Sequence, residues 1–262
     1  MSAGAQGIAS GPLSREQVLD QLEFLATVAH ALVVEYLSVG CALGHDLEPE
    51  EGGATTTQGR DAAAVAAALA VDQMFHLRRV NLALIDAGRS AQLERAASIS
   101  SDSVAEVALG PPSPAQLQGL LDREEAIAKA VDERYARLGP AVTSDPVFEG
   151  DLLNDLRSVI VEDGSTHAAA VAALRDALGD LTPAHFLRVT RREPTDGFEQ
   201  RLLDLSDRSY RLVLAALQER FGSQDFFIAG TFRAFAVSAM EMLDDSNRVL
   251  VQRGLLPPFT LP

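Results

Sequence analysis

Apolar residues recur at helical spacing along almost the whole chain, and this periodicity leaves room for little except helices. Leu19, Leu22, Leu25, Val28, Leu32 and Leu37 form one stripe, the signature of a helix with one buried side. Comparable stripes follow at Val65, Leu69, Val80 and Leu84, at Leu117, Leu121, Ala128, Val131 and Tyr135, and at Leu152, Leu156, Val159, Ala170, Leu174 and Leu178. No alternation of period two outlasts a few residues, so strands are not expected. Local signals supply the boundaries. Ser14 is a predicted N-cap with Glu16 and Gln17 close behind it, and Gly88, Gly139-Pro140 and Gly179 are predicted stops. Helices are therefore predicted over about 14–44, 60–87, 115–138, 146–178, 196–221 and 224–254, with loops at 45–59 and 89–114. Residues 1–12 are expected to be disordered and 13–262 to form a single domain. The expected fold is all-α: a four-helix bundle with two additional C-terminal helices.

Composition sets the surroundings. The hydrophobic share is 47%, without Trp, which suits helices rich in Ala and Leu. A net charge of −15 argues against a nucleic acid or an anionic membrane surface as partner. Cys41 is the single cysteine, so no internal disulfide forms, as expected in a reducing cytosol. The first twelve residues lack a basic stretch followed by an apolar one, and no run of about 18 apolar residues is evident. The expectation is a cytoplasmic protein with a small-molecule substrate and a homodimer as the candidate assembly, with no membrane and no nucleic-acid partner.

The same short pattern occurs twice: Asp72-Gln-Met-Phe-His76 and Asp163-Gly-Ser-Thr-His167. Each places an acid and an imidazole one helical turn apart, within an apolar stretch where unpartnered polar groups are costly. Helix one adds Glu35, seven residues after Val28. Helix three adds Glu124, which interrupts its stripe. In carboxylate-bridged di-metal bundles, two helices give one Glu each and two others give a Glu-x-x-His pair. Carboxylates and imidazoles together suit iron or manganese. The expected ligands are thus Asp72, His76, Asp163, His167, Glu35 and Glu124, with the Asp and His pairs as catalytic residues. Gln73, Glu162 and His30 are expected behind them, orienting the imidazoles. The competing expectation makes each Asp–His pair a buried ion pair in a metal-free bundle, where the cluster binds a small molecule or catalyses an acid/base cyclisation.

Several segments also carry a family likeness. They are Phe24-Leu-Ala-Thr-Val-Ala-His-Ala-Leu-Val-Val-Glu-Tyr-Leu37, Val71-Asp-Gln-Met-Phe-His-Leu77, Ile160-Val-Glu-Asp-Gly-Ser-Thr-His167 and the tail at Pro257-Pro258-Phe259. Over about 13–258 the chain resembles the ferritin-like iminophenyl-pyruvate dimer synthase family. That resemblance implies a ferritin-like bundle, non-haem iron, and an oxidoreductase of secondary metabolism acting on an aromatic or amino-acid-derived substrate. Asp72-Gln73-x-x-His76 stands where the family has Glu-Glu-x-x-His, and Ala29 where it has a Glu before the helix-one His.

Overall fold

The computed structural model describes residues 13–43, 57–111, 119–144, 156, 169, 171–179 and 192–259. It is mostly helical: α1 (Arg15–Leu43), α2 (Thr57–Asp86), α3 (Leu120–Ser144), α4 (171–178), α5 (Gly197–Gly222) and α6 (Phe226–Gln252). The expected N-terminal segment 1–12 and most of the 45–59 loop lie outside the described residues.

The predicted boundaries are met where a cap enforces them. The Gln17 side chain accepts from the Ser14 amide (2.9 Å) and the Ser14 hydroxyl from the Gln17 amide (3.3 Å), a reciprocal capping box. Gly88, at φ +85°, closes α2 as the Arg89 amide reaches back to the Leu84 carbonyl (2.8 Å). Asp196 and Asp225 cap α5 and α6 through hydrogen bonds from the amides at the first turn of each. One predicted stop fails. α3 runs through Pro140 to Ser144. Proline in a helix interior costs about 3 kcal/mol, but Leu138 and Val142 are fully buried on either side of it, and each contributes about 1.5–3 kcal/mol of apolar burial. A second departure is a short antiparallel pair, β1 (Ser98–Ile99) with β2 (Val107–Ala108). At two residues each, these strands are too short to show a period.

α1 and α2 pack tightly and antiparallel. Arg89, just past α2, meets Glu16 (2.6 Å), Asp20 (3.2 Å) and Glu23 (3.2 Å) on the first turns of α1. The facing surface of α2 is Ala62, Ala63, Ala66, Leu69 and Ala70, and small side chains let the two backbones approach. α3 is held to α1 by Arg134, whose guanidinium lies 4.5 Å from the Phe24 ring centroid and donates to Gln21 (2.9 Å) and to the Ser100 carbonyl. α5 and α6 form a second antiparallel pair. Arg192 binds Glu199 through two nitrogens (2.8 and 2.9 Å), and Thr195 donates to the same carboxylate. These contacts, Arg192 first, hold the Glu199 carboxyl well below the usual range. A smaller apolar cluster of Val34, Tyr210, Leu214, Leu243 and Phe259 joins this pair to α1.

Contrary to the sequence expectation, two helices are long and apolar enough to cross a bilayer, α1 and α6. The apolar window of α1 is 83% buried inside the protein, whereas that of α6 is 22% buried. Phe226 and Phe227 of α6 are more than four-fifths exposed, yet Arg233 and Glu241 interrupt the same helix, and charges deep in a bilayer are costly.

Candidate functional site

The structure brings together two of the expected ligands. Glu35 on α1 and Glu124 on α3 are both fully buried, and their carboxyls face each other within hydrogen-bonding reach. Burial is the largest influence on Glu35, followed by the Glu124 charge and the hydrogen bond between the two carboxyls. Together they raise its pKa well above the usual range against the opposing pull of Arg123 and the Gly110 amide. Two carboxyls this close cannot both ionise without cost, and Glu35 is the one held toward its protonated form.

The surroundings of the two acids differ. Glu35 has a partner for each oxygen: Oε1 forms an ion pair with Arg123, and Oε2 accepts from the Gly110 amide (3.3 Å). Arg123 is fixed in turn by donating to the carbonyls of Ala108 (3.1 Å) and Gly110 (3.0 Å). The stretch leaving β2 therefore lies against the acid pair. Glu124 has no such partners. Apart from the facing Glu35 carboxyl, no donor among the described residues hydrogen-bonds either of its oxygens, although buried polar groups are normally satisfied.

On α2 the expectation needs correction. Asp72, predicted to point inward, is exposed, and Gln73 beside it is buried together with His76. The inward line of α2 runs through Ala66, Leu69, Ala70, Gln73, His76, Leu77 and Val80, so the buried polar pair has i,i+3 spacing. One residue is a rotation of about 100° on a helix, enough to carry Asp72 to the outside with Phe75. Val65, which had oriented the sequence reading, is only partly buried, and the alanines set the face. With α2 antiparallel to α1 and Arg89 level with Glu16 to Glu23, a rise of about 1.5 Å per residue carries Gln73 and His76 to within roughly a turn of Glu35 in height. Among the described residues, no three of His, Cys, Asp and Glu form a group of metal-binding size. Asp163, His167 and Glu162 lie outside the described residues.

His30, expected to support the ligands, serves another contact. Its Nδ1 faces the carbonyls of Leu93 (2.8 Å) and Glu94 (3.2 Å), so that nitrogen carries the proton and Nε2 accepts from the Tyr210 hydroxyl (2.6 Å). Burial, helped by the Arg95 charge, lowers the His30 pKa to about 4, and burial pushes Tyr210 up to about 12. Both side chains are neutral at pH 7 and clamp α1 to α5.

Sequence reasoning missed Arg123 and Asn81. Arg123 reads as an exposed helical charge until the β1–β2 hairpin is seen against it. Asn81 is fully buried and pins the exit of α2, donating to Leu77 O (2.8 Å) and Gln92 O (3.1 Å) while accepting from the Gln92 amide (2.5 Å). A groove bordered by Glu125, Lys129, Asp132 and Arg175 runs along the outer side of α3 and includes neither buried carboxyl. Compared with known proteins, the chain matches no family model, no curated protein and no solved structure.

Proposed function

We propose that this chain is a metal-dependent enzyme on a ferritin-like bundle, in which the Glu35–Glu124 pair receives iron, or manganese, for the oxidation of a small aromatic or amino-acid-derived substrate. The observation that carries the metal is Glu124: a fully buried carboxyl facing another, with no donor among the described residues for either oxygen beyond that facing acid. A hard or borderline divalent cation is the partner such oxygens suit. The oxidative chemistry and the ferritin-like topology rest on the family resemblance alone. Glu124 and Glu35 would hold the ion, and His76, His167 and Asp163 are candidates from the sequence alone, since His76 forms no metal-sized group with the two acids. An iron ion bound there supplies redox and Lewis-acid chemistry.

The protein's own groups prepare that centre. The Gly110 amide and Arg123 fix the orientation of Glu35, while the packed helices exclude water from both acids. To receive the ion Glu35 gives up the proton that its surroundings favour, because ligating carboxylates are ionised. Uptake is therefore expected to weaken as pH falls.

The metal-free alternative draws on the proton itself. A carboxyl held protonated beside a second carboxyl is the pairing used for acid/base work, and Arg123 already places a cation there. Elemental analysis of protein expressed in iron-supplemented medium separates the two. The metal reading expects iron or manganese well above trace level in the wild type, and its loss in Glu124→Gln with an unchanged circular dichroism spectrum. Trace metal in the wild type would favour the metal-free chemistry.

A further inference from the structure

We propose that the outer face of α6 is a dimer interface, which pairs with the same face of a second copy of this chain in an antiparallel, two-fold arrangement. This surface lies apart from the buried carboxyls and does not depend on the metal reading. Phe227, Thr231, Ala234, Phe235, Ser238 and Met242 are all exposed, and steps of three and four residues put them on one side of the helix. No charge stands among them, while Ala229, Ala236, Ala239 and Leu243 are buried on the other side. Phe226, Phe227 and Phe235 are 84%, 81% and 56% exposed. At about 150–250 Å² per aromatic side chain, and with the half-exposed Ile228, Val237 and Met242 beside them, the patch presents roughly 700 Å². A monomer rarely leaves more than a few hundred Å² of contiguous apolar surface in water, and each partner in a standard interface contributes about 800 Å².

Charge selects a second copy over other occupants. At −15 per chain, an anionic lipid surface is disfavoured, and Arg233 and Glu241 would have to enter the apolar phase. Both are exposed, and neither has an ion-pair partner among the described residues. They flank the stripe on the same side, since eight residues amount to a net rotation of about 80°. A two-fold axis beside Val237, midway between them, runs two α6 helices antiparallel and sets Arg233 of each copy level with Glu241 of the other. Both pairs form at once, because such a contact is isologous. Ala234 and Ser238, small and one turn apart beside that axis, let the helices approach to about 8–10 Å.

Interfaces of this size span μM to pM affinities, so the full chain at roughly 50 μM and physiological salt should sediment as a dimer. Ala234→Arg puts bulk and charge at the axis and should sediment as a monomer with an unchanged circular dichroism spectrum. Arg233→Glu and Glu241→Arg each turn two attractions into two repulsions and should weaken the dimer about tenfold or more. Combined, the two changes restore opposite charges and should recover wild-type affinity, a pattern that stays readable should Ala234→Arg disturb the helix. A monomeric wild type, with the face covered by another segment of the chain or by added vesicles, would overturn the proposal. So would a dimer that persists in Ala234→Arg, or a double variant that associates no more tightly than the single ones.

Discussion

The His30–Tyr210 clamp makes a quantitative prediction about pH. In the unfolded chain His30 titrates near the ordinary 6.5, whereas burial in the folded protein lowers its pKa to about 4. Between those values the unfolded chain binds a proton that the folded chain refuses, so stability falls as pH drops. The contribution is complete above pH 6.5 and is lost progressively toward pH 4. At roughly 1.4 kcal/mol per pH unit of separation, the limit is about 3 kcal/mol, and about 2 kcal/mol should be lost by pH 5. His30 is only 2% exposed, so little solvent screening reduces this figure. Glu35 acts with the opposite sign. Its raised pKa means that the folded protein binds the extra proton, so its contribution grows as pH falls toward 4.5. The assay is therefore a difference: urea unfolding of wild type and of His30→Asn at intervals between pH 7.5 and 5. Glu35 is common to both proteins and cancels. The stability gap between wild type and variant should shrink by about 2 kcal/mol across this range. Parallel curves, within about 0.5 kcal/mol, would refute the neutral buried histidine and the tautomer assigned from its contacts.

Three further outcomes follow from contacts elsewhere. Ser206→Ala removes the buried hydroxyl that donates to Asn247 (2.6 Å) between α5 and α6, and should cost about 1–3 kcal/mol in a denaturant titration by stranding the Asn247 acceptor. Asp72→Asn alters an exposed residue; stability should stay within about 0.5 kcal/mol, and Mn(II) uptake should not change. Gly88→Ala meets no atom within 4 Å but sits at φ +85°, so a loss of about 1–2 kcal/mol in a thermal melt would come from backbone strain alone.

Helix existence and most helix ends were legible in the sequence because they depend on local physics. The Ser14 capping box and Gly88 and Gly179 in left-handed conformations act within a few residues of themselves. The apolar stripes then announced which helices would pack. Glu35 and Glu124 were legible too, as acids standing where an apolar residue belongs. Tertiary structure alone decided the rest. The rotation of α2 followed from alanines packing against α1, a preference the larger side chains masked, and it moved Asp72 out and Gln73 in. Pro140 stayed helical because burial on both sides outweighs a local preference. The partner of Glu35 was beyond any sequence pattern: Arg123 precedes Glu124 in the chain, but the hairpin carbonyls that turn it inward come from residues 108 and 110. Likewise, His30 finds Tyr210 across 180 residues. Local propensity is written in neighbouring residues, whereas the charge balance of a buried site depends on which distant groups the packing brings to it.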